Sequence, residues 1–415
     1  MAQQVASLLE PVVVALLGDD VPINVRFWDG SSVGRGDSTI VVRSPDAIRH
    51  LLWAPGELGL ARAYVSGQLD LEGDIYDLLT TQPTAPSMGP RTLATLVPAA
   101  YRLKLLGRRP PLPPEEAQLS GRRHSKARDA AAIRHHYDVS NDFYRLVLGS
   151  TMTYSCAYFR DQDMSLDDAQ TSKYELICQK LGLQPGMRLL DVGCGWGGMV
   201  LHAAQHHGVS AVGVTLSPAQ HDFATKRLAD AGVADRVEIR IQDYRDVSDG
   251  PFDAISSIGM FEHVGLAKLG EYVERLFALL PPGGRLLNHG ISRPRGEGGF
   301  DRGSFIDKYV FPDGELHEVG RVVSKIADTG FEVRDVHGLR EHYAKTLRHW
   351  VANLEGSWDE AVRLAGEGRA RVWRLYMAAS AVNFEAGRTS IHQVLAVKPT
   401  DTGDLSMPLT REAWT

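Results

Sequence analysis

The run LLDVGCGWGG, Leu189 to Gly198, holds the densest chemistry in this 415-residue chain. Asp191 stands just before Gly193, Cys194 and Gly195. The two glycines open backbone conformations, and a close ligand approach, that a Cβ would block. The spacing is neither the dinucleotide GxGxxG nor the GxxxxGK[ST] of a phosphate cradle, so those ligands are disfavoured. Two later apolar runs also end in polar groups. VGVTLSPAQ offers Thr215, Leu216 and Ser217, with Gln220 one turn on, and QDYRD offers Gln242 and Asp243. Upstream, Cys156 lies between tyrosines in TYSCAYF. Cys156, Cys178 and Cys194 are odd in number, widely spaced and without a CxxC pair. A disulfide framework or a metal site is therefore not expected, and a reducing cytoplasm is the default. Cys178, in YELICQKL, reads as core and Cys194 as loop packing.

Strands must carry these residues. MRLLDVGCG, VSAVGVTLS, RVEIRIQD, FDAISSIGM, GRLLNHGIS, FEVRDVHGL and SIHQVLAVK are strand-like runs, mostly separated by amphipathic helical stretches, within residues 131–400. The alternation predicts an α/β domain, a seven-stranded mostly parallel sheet with helices on both faces. The glycine loop then lies at the carboxyl end of a strand near a switch point, where open α/β sheets bind ligands. Residues 1–84 read as a small α+β domain for lipid, substrate or dimer contact. It has an amphipathic N-terminal helix, two strands in VRFWDGSSVGRGDSTIVVRS, and short helices in SPDAIRHLL, GELGLARAYVSG and DIYDLLTT. Residues 85–130 read as a proline-rich linker and 401–415 as a tail. Between Tyr101 and His136, nine Lys or Arg oppose three acids. That stretch is either a solvated linker or a patch that meets anionic lipid headgroups. The net charge of −6 argues against nucleic-acid binding. No uncharged apolar stretch is long enough to span a bilayer.

An acid followed by GxGxG, opening a seven-strand α/β domain, resembles the S-adenosylmethionine loop of class I methyltransferases, a Rossmann-like fold. Most members of that fold place an acid at the end of the second strand for the ribose; here the position reads Thr215, Leu216, Ser217. Further motifs carry a closer resemblance. HYDVSNDFYRLVLG, TYSCAYF, LLDVGCGWGG, AVGVTLS, QDYRD, MFEHVG, LNHGIS and HYAKTL follow one another as in cyclopropane fatty acid synthases and their mycolic-acid-modifying cousins. The likeness covers about residues 130–400. The N-terminal extension resembles that of the longer synthases acting on intact phospholipids, including those of tuberculostearic-type lipid synthesis.

The resemblance implies methyl transfer from S-adenosylmethionine to a cis double bond. An alkene is a weak nucleophile, so the enzyme must hold it in line with the sulfonium methyl, an orientation effect of up to roughly 7–11 kcal/mol. The carbocation left behind needs shielding from water and a weak, well-placed base. By resemblance that base is a bound bicarbonate ion, held by Cys156, Glu262, His289, Ile291 through its backbone, and Tyr343. Cys, Tyr and His can donate to an oxyanion, while Glu262 accepts the bicarbonate O–H or holds the histidine tautomer. Plain packing roles stay open for Cys156, His289 and Tyr343, and a helix cap or arginine pairing for Glu262. The positions implied for the cofactor are Tyr154, Ser155, Asp191, Gly193, Cys194, Gly195, Thr215, Leu216, Gln220, Gln242 and Asp243. His135 and His136 read as structural or cofactor-lid residues. FIDKYVFPDG, within the long connection from Arg293 to Glu318, either offers apolar material for an acyl tunnel that helix 371–387 could close or anchors a plain surface excursion.

The expected function is methyl transfer to an unsaturated phospholipid acyl chain at an anionic membrane surface, giving a cyclopropane. The enzyme is expected to be cytoplasmic, peripheral on the inner face of the plasma membrane. The same cation yields an exo-methylene chain if a hydride shifts first, and a separate reductase could turn that into a methyl branch. The active-site residues do not separate the two products. A soluble small-molecule substrate is a lesser alternative, and a lipid-binding protein with a dead site is disfavoured because no catalytic residue is missing. A homodimer is expected by analogy alone.

Overall fold

The computed structural model describes residues 4–17, 23–81, 90–118, 128, 139–296 and 303–414. His135 and His136 lie outside the described residues, as do Arg122, Arg123, Lys126 and Arg134 of the basic stretch. The chain forms two compact units. One comprises Met1–Gln118, Asp301–Pro312 and Trp358–Val382, the other Leu119–Phe300, Asp313–Ser357 and Asn383–Thr415.

The first unit holds a four-stranded sheet of order β2-β1-β3-β4. Its strands are β1 (Asn24–Arg26), β2 (Ser32–Val33), β3 (Thr39–Val42) and β4 (Leu69–Glu72). Three of them lie where two were expected, and β4 falls between stretches read as helical. Against the sheet pack the N-terminal helix Val5–Leu17, whose Val5, Leu9 and Val12 are buried, and a helix over Pro90–Arg102. The second helix corrects the reading of residues 85–130 as irregular linker. Pro90 opens it and Pro98 is tolerated within it, while Leu96, Ala99 and Ala100 bury one face in the core. The compact units also do not follow the boundaries expected at 84 and 130. Two segments from the C-terminal two thirds join the first unit, and buried polar groups pin them. Arg62 makes a two-pronged bond to Glu116, which also accepts from Tyr309. Arg371 reaches both Asp70 and Glu367.

The second unit has the expected α/β sheet, of order β10-β11-β9-β8-β5-β6-β7. All seven runs are strands: β5 (Arg188–Val192), β6 (Ser210–Thr215), β7 (Val237–Ile241), β8 (Ala254–Ile258), β9 (Arg285–Ser292), β10 (Glu332–Gly338) and β11 (Ser390–Val397). Pairings among β5 to β9 are parallel, and β11 runs antiparallel to β9 and β10. Leu189 and Leu190 of β5 belong to separate core clusters, so the sheet is buried on both faces, as continuous apolar strands require. Sequence order reverses at β5, between β6 and β8, which opens a crevice at the carboxyl ends of these strands. The tail returns to this unit, with Trp414 buried in its core and Arg411 paired with Asp335.

Candidate active site

The crevice is a cavity, and every residue expected to touch the cofactor lines it: Tyr154, Ser155, Asp191, Gly193, Cys194, Gly195, Thr215, Leu216, Gln220, Gln242 and Asp243. Local structure explains the convergence. Gly193, Gly195 and Gly197 have positive φ (79°, 54° and 78°), so the loop after β5 turns in a way other residues resist. The helix Gly198–His207 starts without a side-chain cap, leaving N-terminal amides beside the cavity for a negatively charged group. Asp191 accepts from Ser256 Oγ at 2.7 Å across to β8, and burial raises its carboxyl to about 6. Thr215 Oγ1 donates to Gln220 Oε1 at 2.7 Å, fixing that amide at the cavity wall. Asp243 is held by Arg245, with Nε at 2.8 Å and Nη2 at 2.6 Å. Cys194 packs as expected: a Cβ on Gly213 would come within 2.9 Å of its sulfur.

The five residues expected around the base lie away from that lining, tied together through β9, β11 and the helix Arg340–Gly356. Ile291 N–H donates to Glu262 Oε1 at 2.6 Å. Ile391 stands opposite Ile291 in the sheet, and its carbonyl accepts Leu339 N–H. The Leu339 carbonyl in turn accepts both Tyr343 N–H, at 3.1 Å, and the Cys156 thiol, at 3.7 Å. His289 precedes Ile291 by two residues, so both project from the same face of β9. Glycine makes the arrangement fit. A Cβ on Gly290 would lie 1.8 Å from the Phe261 ring, so only glycine lets the turn bearing Glu262 approach β9.

Burial sets the protonation of the group. Glu262 is raised to about 7. His289 is pushed well below its ordinary value and stays neutral. The Cys156 thiol is pushed far up, which keeps it a hydrogen-bond donor rather than a nucleophile. Glu262 Oε2 and His289 Nε2 are buried without a hydrogen-bond partner among the described residues.

Sequence reasoning missed two groups. Lys173, fully buried on the helix Leu166–Leu181, lines the cavity and donates to Ser155 Oγ at 3.0 Å. Desolvation lowers its ammonium to about 7, opposed by Cys156 and Asp191 nearby. Gln393, opposite His289 on β11, places its Nε2 3.4 Å from His289 Nδ1. Donation in that sense puts the imidazole proton on Nε2. Lysine spacing on a helix signals nothing, and Gln393 is visible only once β9 and β11 are paired.

A family model described as mycolic acid cyclopropane synthetase matches residues 124–394. A probable fatty acid methyltransferase of Mycobacterium tuberculosis is 47% identical over 408 residues, covering 94% of each chain. The cyclopropane-fatty-acyl-phospholipid synthase of Escherichia coli is 33% identical, covering 89% of this chain and 90% of that one. In the solved structure of mycolic acid cyclopropane synthase CmaA1 complexed with SAH and CTAB, 98% of that chain matches 65% of this one at 36% identity and a TM-score of 0.61. With the seven-stranded sheet, the glycine loop and the cavity they form, these matches make the chain a member of the cyclopropane and mycolic acid synthase family of S-adenosylmethionine-dependent methyltransferases.

Proposed function

We propose that the protein transfers a methyl group from S-adenosylmethionine to the cis double bond of an unsaturated acyl chain in a membrane phospholipid, closing it to a cyclopropane. One observation carries the reading. Glu262 Oε1 is taken by Ile291 N–H, while Oε2 and His289 Nε2 are buried without partners among the described residues. A carboxylate acceptor and a neutral imidazole donor, each with an open buried atom, fit a small oxyanion that keeps its own O–H, as bicarbonate does. Bicarbonate, when bound, supplies a weak base beside the substrate. Glu262 would accept its hydroxyl and His289 Nε2–H would donate to its oxygens, with the Cys156 thiol joining them on turning away from the backbone carbonyls it now faces. Asp191, Gln220 and Asp243 would orient the methyl donor. Tyr154 and Tyr343 pack against Trp350 at 5.4 Å and 6.0 Å between ring centroids. Such rings exclude water and turn negative faces toward a cation.

The phospholipid reading draws support from the first unit. Val97, Tyr101, Leu106 and Leu112 are exposed there among the exposed Arg102, Lys104, Arg108 and Arg109. Apolar anchors with basic neighbours suit an anionic lipid surface, each charge contributing roughly 1 kcal/mol. No helix among the described residues is long and apolar enough to cross a membrane. The name of the 47%-identical relative, a fatty acid methyltransferase rather than a cyclopropane synthase, favours a second reading in which the product is an exo-methylene chain. Liposomes of oleoyl or stearoyl phospholipid, incubated with methyl-labelled S-adenosylmethionine, test the shared claim. Label should enter the oleoyl lipid alone. Label in both lipids, or in neither while the cofactor binds, overturns it.

A further inference from the structure

We propose that Cys178, His202 and His207 form a binding site for a divalent transition-metal ion of the zinc class, with Glu175 as the carboxylate partner of both imidazoles. None of the four lines the cofactor cavity. They come from two packed helices, Leu166–Leu181 and Gly198–His207. The Cys178 sulfur and one ring nitrogen each of His202 and His207 lie within 4.8 Å of one another. Nε2 of His202 and Nε2 of His207 both stand 3.0 Å from the same oxygen, Glu175 Oε2. A thiolate with two imidazoles is a donor set that zinc prefers, and the fourth, tetrahedral position is left to water. Bonds of about 2.0–2.3 Å set neighbouring ligands roughly 3.3–3.8 Å apart, so small side-chain rotations bring the set to bonding geometry.

Ordinary explanations cover less of this. Histidines in a last helical turn, such as His206 and His207, suit the helix dipole. The dipole does not require His202 and His207 to meet on one carboxylate. A buried thiol is common packing, but packing does not place two imidazoles within its reach. The sequence pattern concealed the set because no two cysteines are close and its members join only when the helices pack. Binding would release the thiol proton to solvent and move each imidazole proton to the nitrogen facing away from the metal. The site would also staple the elements beside the cofactor, since Lys173, Tyr174 and Gly198 of the same two helices line that cavity.

The test uses untagged full-length protein, stripped with chelator and titrated with zinc chloride by calorimetry and with cobalt chloride by absorption. The result expected is one equivalent of zinc bound with proton release, and a cobalt spectrum carrying tetrahedral d–d and thiolate charge-transfer bands. Losing a mere supporting partner costs roughly 10- to 100-fold in metal affinity. Cys178→Ser and the half-buried His207→Gln should therefore each weaken binding by more than about 100-fold. His221→Gln, on the separate helix Pro218–Asp230, should not. No stoichiometric site in the wild type overturns the proposal. So does undiminished zinc binding by His207→Gln that still binds S-adenosylmethionine, which decides the matter if Cys178→Ser fails to fold.

Discussion

Glu262 is where chemistry and stability pull apart. Its folded-state pKa of about 7 exceeds the ordinary 4.5, because burial penalises the charged form. Between those two pH values the native state holds a proton that the unfolded state has lost, so this group's contribution to stability falls as pH rises from about 4.5 to 7. Glu262→Gln should thus be more stable than wild type at pH 8, by an amount on the order of 3 kcal/mol, and no more stable near pH 4.5. Melting curves at the two pH values check this. The same variant should bind S-adenosylmethionine normally yet turn over roughly 10²-fold more slowly. Wild-type turnover should climb as pH passes upward through about 7, where the carboxylate forms, and the variant should lose that step. Unchanged turnover would remove Glu262 from the catalytic set. Lys173 gives a second case. Its charge, present below about pH 7, helps keep the buried Asp191 ionised. Lys173→Met should weaken cofactor binding up to about tenfold at pH 6.5 and less at pH 8.5, measured by calorimetry. Cys156, Glu262, His289 and Tyr343 were flagged by motifs, and the structure gathers the segments that carry them. Lys173 was not flagged, since a buried lysine reads like any solvated helix residue until its neighbours are known.

The approach of two elements at Gly290 positions the carboxylate. Phe261 lies where a Cβ would be, and the following residue carries the bond to Ile291 N–H. Gly290→Ala should push the Phe261–His263 turn off β9, cutting turnover by roughly 10²-fold or more, with a smaller loss of S-adenosylmethionine binding because His263 lines the cofactor cavity. Unimpaired turnover in that variant would mean the turn can shift without moving Glu262. The strands of the second unit were legible because each is a short apolar run closed by glycine or polar residues. The helix Pro90–Arg102 was not, because it lies between the proline-rich stretches TAPSMGP and RRPPLPPEE, which read as a linker. Its buried Leu96, Ala99 and Ala100 show tertiary packing overriding that local signal. The segments Asp301–Pro312 and Trp358–Val382 were assigned to the catalytic stretch because sequence continuity says nothing of which core an apolar residue joins.

At the scale of the whole molecule, the central question is what the methyl group reaches. If the exposed apolar and basic residues of the first unit meet a membrane, flotation with anionic liposomes should be strong at low salt and weak at high salt, since surface charge interactions are screened within about 8–10 Å at physiological ionic strength. Replacing Arg102, Lys104, Arg108 and Arg109 with Ser should reduce flotation without altering cofactor affinity, and equal flotation of the variant would place the membrane contact elsewhere. The measurement that bears most directly on the account is carbon NMR of extracted lipid. Purified protein is incubated with methyl-¹³C-S-adenosylmethionine, bicarbonate and oleoyl-phospholipid liposomes. The account predicts label in ring methylene signals. Label in a vinylidene carbon would keep the methyl transfer and replace the cyclopropane with the exo-methylene product. An absence of label in lipid, from protein that binds the cofactor, would contradict the account at its centre.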